Sequence, residues 1–190
     1  MEEQIPPIDV YYLPEYIKIF ENLPPQVKKA FSGETCFAIF GDNENYIIHP
    51  FFKREVADLE FLNRSEFANF FDIVSPYGYS GPAERIKNGE IREKLWSAFV
   101  SEFQKYCVDI KILTEFARLN PFLRNHEILM KITQGVKQFK DRLVYVDLAG
   151  TEDNIRKGMS KSNRRYVRKA REKGVKIRFS RNKEDMEKFF

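Results

Sequence analysis

The segment 71–82 constrains this chain more than any other. Phe71, Asp72, Ile73 and Val74 form a short apolar, β-branched run that reads as the end of a buried strand. The next residues cannot continue it. Pro76, Gly78, Gly81 and Pro82 fall within seven positions, and Pro76 biases Ser75 toward extended backbone. A strand therefore has to end in a tight loop. Tyr77 and Tyr79 flank Gly78, and each brings a ring and a hydroxyl. Glycine permits close backbone approach, and tyrosine offers stacking plus a hydrogen bond at low rotamer cost. Two readings fit: a packed aromatic turn, or a binding loop in which Tyr77, Gly78, Tyr79, Ser80 and Gly81 meet a ligand.

The 190 residues suit one domain, or one domain and part of another. Eighteen phenylalanines supply an aromatic core, and no apolar run approaches the ~20 residues of a membrane span. Glu2, Glu3, Pro6 and Pro7 do not make a signal peptide. Cys36 and Cys107 lie in apolar segments without a CxxC partner or a neighbouring histidine, which reads as two buried thiols in a reducing compartment, with no metal site. The expected location is cytoplasmic.

Charge is unevenly spread. Residues 156–181 hold twelve Lys/Arg against one acid, Glu172, a net of +11 that leaves −7 on the rest of a +4 chain. Such asymmetry points to an anionic partner, or to a solvated helix face.

In chain order, residues 1–9 read as a flexible lead. Residues 10–23 read as a helix stopped by Pro24 and Pro25, and 34–40 and 46–52 as a β-hairpin. His49, followed by Pro50, reads as structural. Residues 84–106 carry the longest helical pattern, with Trp96 beside its apolar stripe, and 108–116 reads as a strand. Arg118 falls where that strand gives out, free to fork to a carboxylate or phosphate or to make an ordinary salt bridge. Residues 128–139 fit helix or strand. Residues 142–148 and 175–179 read as strands, and Thr151 as a helix N-cap. At 100° per residue Lys161, Arg164, Arg168 and Arg171 share one face of a helix over 160–173, with Arg165 and Lys169 beside them and Met159, Tyr166 and Ala170 opposite. Gly174 stops it, and another helix begins at Asn182. The order of elements makes a mixed α/β domain.

Three stretches resemble one family. Residues 72–82 resemble the D-x-x-x-P-Y-G-Y-x-G-P loop of Fem-like proteins, which are GNAT-like acyltransferases related to the peptidoglycan interpeptide-bridge aminoacyltransferases. Glu115-Phe116-Ala117-Arg118-Leu119-Asn120-Pro121 with Asn125 resembles their E-F-x-R-x-x-P…N segment. Tyr145-Val146-Asp147-Leu148, then Lys161-Ser162-Asn163-Arg164-Arg165 and Lys169-Ala170, resembles their strand and basic helix. The resemblance spans about residues 10–190, in the family's order. It implies a GNAT-like domain over 10–158, with a central mixed sheet flanked by helices, and the start of a second such domain over 159–190. It implies transfer of an acyl or aminoacyl group to an amine or hydroxyl of a small-molecule, cell-wall or polysaccharide precursor. Acyl-CoA or aminoacyl-tRNA would be the donor, with no tightly bound cofactor. The substrate side would be Tyr77, Gly78, Tyr79, Ser80, Gly81, Arg118, Asn120 and Asn125. The anion side would be Lys161, Arg164, Arg165, Arg168 and Lys169. No catalytic residue is assigned. Family members usually carry a second half with much of the donor site, so this chain alone is expected to turn over little. The competing readings are a tRNA- or other nucleic-acid-binding module built on the basic helix, and an inactive truncation product.

Overall fold

The computed structural model describes residues 8–21, 33–58, 66–134, 137–138 and 143–188. The chain divides into two compact units, Met1–Phe139 and Lys140–Phe190. Most of the lead, together with Pro24, Pro25 and Arg142, lies outside the described residues.

The first unit is a mixed sheet with helices on both faces. After a 3-10 turn at Val10–Tyr12, helix α1 runs Pro14–Glu21. Strands β1 (Glu34–Gly41) and β2 (Asn45–Glu55) form the expected hairpin. Asp42 closes it by accepting hydrogen bonds from the backbone N–H of Glu44 (2.8 Å) and Asn45 (2.7 Å). Strand β3 is Phe71–Val74, as its apolar run predicts, β4 is Ala83–Ile86, and β5 is Ile112–Phe116. The order is β1-β2-β3-β5, with β4 also on β2. All pairs are antiparallel except β3–β5, which is parallel.

The registers explain where the Pro/Gly loop comes from. β3 pairs with residues 52–55 of β2, and β4 pairs with residues 45–48. Both run antiparallel to β2 on the side away from β1. They are one extended segment broken by an excursion over 75–82. The stretch of β2 facing the gap is His49, Pro50 and Phe51, and Pro50 has no N–H to give a ladder there.

Side chains alternate across β2. Ile47, His49 and Phe51 face helix α2 (Arg92–Asp109), where Ile47, Trp96 and Phe99 form a core with Ile128 of α3 (Asn125–Ile132). Phe52 faces the other way, edge-on to Phe20 of α1 at 5.7 Å. Arg54 and Asp72 sit opposite one another in the β2–β3 ladder and pair through two hydrogen bonds.

Four elements differ from expectation. Residues 83–86 are strand, although 84–106 carries a helical pattern, because Asn45–Ile48 of β2 supplies a ladder and Glu84 binds Arg92 and Trp96. Asn45 Oδ1 then accepts from the N–H of Lys87 and Asn88, both at 3.1 Å, and a 3-10 turn at Gly89–Ile91 leads into α2. α2 runs on to Asp109, so β5 starts later than residue 108, after a left-handed turn at Lys111 (φ 59°). Residues 143–148 and 175–179 are apolar but not strands. No ladder partner meets them among the described residues, and Val144, Ile177 and Phe179 are almost wholly exposed. Cys36 and Cys107 are free and only half-buried.

The second unit holds α4 (Glu152–Gly158), α5 (Lys161–Glu172) and α6 (Lys183–Glu187). Thr151 caps α4 and Ser160 caps α5 through their side-chain oxygens. Gly174 takes the left-handed stop at φ 72°.

Candidate functional site at the carboxyl ends of strands β3 and β5

Because β3 and β5 are parallel, their carboxyl ends share one edge of the sheet. In open parallel α/β sheets ligands bind outside the carboxyl ends of the strands, and this parallel pair offers such an end. The loop after β3 and the turn after β5 are stitched together there. The Ser75 N–H donates to Phe116 O (2.9 Å), and the Arg118 N–H donates to Ser75 Oγ (2.9 Å). The Gly81 N–H donates to Arg118 O (3.2 Å), and Ser80 Oγ–H closes the loop on Pro76 O (3.0 Å).

Two tyrosines from the amino-terminal elements hold the loop from the other side. The Tyr12 hydroxyl donates to Gly81 O at 2.7 Å, and the Tyr16 hydroxyl donates to Tyr77 O at 2.9 Å. Burial pushes the Tyr12 phenol well above its ordinary range, with Asp9 adding to the effect. Burial, then Tyr11 and Tyr77, pushes the Tyr16 phenol up. Both hydroxyls therefore stay protonated and donating at neutral pH.

Gly78 is required by its backbone, and Gly81 is closely packed. Gly78 has φ +94°, and a Cβ there would lie 2.3 Å from Cε1 of Tyr11. A Cβ on Gly81 would lie 2.4 Å from Cδ2 of Leu119.

The clamped loop turns some predicted residues outward and others inward. Tyr77 is 59% exposed, and Arg118, whose backbone bonds Ser75 and Gly81, is exposed too. Tyr79 is half-buried, edge-on to Tyr11 at 5.9 Å. Ser80 is buried. Asn120 is buried and spans Asp9 (2.8 Å) and the Phe122 N–H (3.0 Å). Asn125 is buried and donates to Pro82 O at 2.9 Å. The outward set is thus Tyr77, Tyr79 and Arg118. Ser80, Gly81, Asn120 and Asn125 shape the edge that presents them. Sequence reasoning missed the clamp of Tyr11, Tyr12 and Tyr16. Tyr12 and Tyr16 show in sequence only as part of an apolar helical stripe, and the carbonyls they bind lie more than sixty residues away.

The second unit carries the basic cluster. Arg164 Nη1 donates to Met159 O (2.6 Å), Lys157 O (3.2 Å) and Arg156 O (3.3 Å). It thereby caps the carboxyl end of α4, where the helix dipole favours a cation. Arg168 pairs with Glu172 at 3.5 Å, and Arg171 with Glu152 at 3.1 Å. Lys161, Arg165 and Lys169 are exposed, with no acidic partner among the described residues. Tyr166, expected to pack, is 67% exposed.

A family profile described as the FemAB family matches residues 96–190, half of the chain. The chain belongs to the FemAB family. That match starts at Trp96 and takes in β5, the Arg118 turn, α3 and the whole second unit, which carry two of the three Fem-like stretches. The Tyr77 loop and its clamp lie before the matched span of this FemAB protein. No curated protein and no solved structure matches the chain. Among the described residues no helix is long and apolar enough to cross a membrane.

Proposed function

We propose that this FemAB-family chain forms the acceptor side of a GNAT-like acyltransferase that joins an acyl or aminoacyl group to a cell-wall or polysaccharide precursor. The observation that carries the proposal is the edge shared by β3 and β5. There a loop clamped by Tyr12 and Tyr16 holds Tyr77 exposed and Tyr79 half-buried, and its Ser75 and Gly81 are bonded to the backbone of exposed Arg118. A rigid backbone with exposed aromatic rings suits a reaction whose rate depends on positioning two substrates. Tyr77 would stack on the acceptor and hydrogen-bond it. Arg118 would fork to a carboxylate or phosphate of the precursor. Lys161, Arg165 and Lys169 would hold phosphates of a donor such as acyl-CoA or an aminoacyl-tRNA, and Arg164 would keep α5 in register with α4.

Calorimetric titration with a soluble nucleotide-linked cell-wall precursor tests this reading. Binding should weaken at least about tenfold in Tyr77→Ala and in Arg118→Gln, a loss of ~1.4 kcal/mol each. Thermal midpoints should stay near the parent value, because both side chains are exposed. Unchanged affinity in both variants would remove the acceptor site from this edge.

A further inference from the structure

The face of the sheet turned toward α2 holds a side-chain pair that the Tyr77 loop does not use. His49 stands in the middle of β2, 1% exposed, with its ring 5.3 Å from those of Phe51 and Phe103. Its Nε2 lies 2.8 Å from Oε1 of Glu115. Glu115 belongs to β5, so the contact passes over β3. The Glu115 side chain is 36% exposed.

The hydrogen-bond pattern fixes the histidine tautomer. A carboxylate oxygen only accepts, so Nε2 carries the proton and donates. Nδ1 is buried without a hydrogen-bond partner. Donating from Nε2, His49 steadies one oxygen of Glu115. Glu115 meets no Lys or Arg among the described residues. Two other carboxylates of the sheet do have such a partner. Asp72 is matched to Arg54, and Glu84 to Arg92. Cys107 lies near Glu115 and offers no positive charge. Its thiol is pushed up to about 11, first by burial and then by the Glu115 charge, so it stays neutral. An oriented, half-exposed carboxylate without a Lys or Arg partner is a ready partner for an ammonium group, which presents three charged donors.

We propose that Glu115, steadied by His49, is the docking point for an amino group of the acceptor. The inference rests on the acyl-transfer reading and narrows it, since a carboxylate there favours an amine over a hydroxyl acceptor.

The test uses the labelled 190-residue chain in solution, with n-butylamine hydrochloride and n-butanol as probes. The Glu115 carboxyl and His49 ring resonances should shift saturably with the amine and not with the alcohol. Glu115→Gln keeps an acceptor oxygen for His49 but loses the charge. It should weaken the amine response at least about tenfold and leave the thermal midpoint close to the parent's. An equal response in Glu115→Gln, or no saturable amine response in the parent, overturns the proposal. So does a variant that loses several degrees of stability while still responding to amine, which marks the pair as purely structural. The two readings can fail separately. If the cell-wall precursor binds at Tyr77 and Arg118 with an affinity that Glu115→Gln does not change, this inference fails alone. If the amine binds at Glu115 while the precursor ignores Tyr77 and Arg118, the acceptor-edge reading fails and the amine site remains.

Discussion

Replacing Gly78 by alanine should strain the loop in two ways at once. The backbone sits at φ +94°, a region that costs a non-glycine residue about 1–3 kcal/mol. The new methyl would also stand 2.3 Å from Cε1 of Tyr11, well inside van der Waals contact, and overpacking of this kind costs roughly 1–3 kcal/mol. The two together suggest a loss of about 2–6 kcal/mol, a large share of the ~5–15 kcal/mol that holds a typical domain together. Urea unfolding followed by tryptophan fluorescence reads it, because Trp96 is fully buried in the same unit. A cycle with Tyr11→Ala separates the parts. Removing the ring should recover the steric share and leave the backbone share. Gly89→Ala is the control, since nothing lies within 4 Å of its Cβ position, and it should move stability by less than ~0.5 kcal/mol. If Gly78→Ala unfolds at the parent's urea midpoint, the clamp around residues 75–82 is not as the structure places it.

Other outcomes follow from the same contacts. Asp72→Asn breaks a half-buried pair and leaves the Arg54 charge without its counter-ion, so it should cost about 2–4 kcal/mol in urea unfolding. Arg164→Gln should lower helix content, by circular dichroism, through loss of the α4 cap, worth ~0.3–1 kcal/mol. Arg165→Gln should leave helix content alone and weaken binding of phosphate-rich ligands, most at low salt. The Cys107 thiol, raised from 9.0 to about 11, should alkylate at pH 8 about 100-fold more slowly than an unfolded thiol, since only the thiolate reacts. The same shift contributes stability that is complete below pH 9 and lost as pH climbs toward 11. A labelling rate equal to that of the urea-unfolded chain would contradict its burial.

Where local signals and tertiary contacts agree, the chain is readable by eye. β1, β2 and β3 are apolar runs ended by Gly, Asp, Asn and Pro, and the 75–82 loop is announced by its prolines and glycines. The caps at Thr151 and Ser160 have side chains that suit a helix start. β4 is not readable, because Ala83, Glu84, Arg85 and Ile86 are ordinary helix residues made into strand by β2 alongside. Residues 143–148 and 175–179 show the opposite case, in which β-forming sequence without a ladder stays irregular. At the candidate site Tyr77, Tyr79 and Arg118 stand out from their loop context. Ser80, Asn120 and Asn125 look like ligand contacts in sequence, but their partners are carbonyls, a carboxylate and an N–H of the protein itself. The His49–Glu115 pair joins residues 66 positions apart across an intervening strand, and no spacing rule reveals it.

The most direct test of the acceptor edge is a crystal structure of the 190-residue chain with a soluble cell-wall precursor bound. The account expects the precursor against Tyr77 and Tyr79, with an anionic group on Arg118, and the loop at 75–82 unmoved because Tyr12 and Tyr16 already hold it. A precursor bound away from the carboxyl ends of β3 and β5, with Tyr77 and Arg118 still facing solvent, would contradict it.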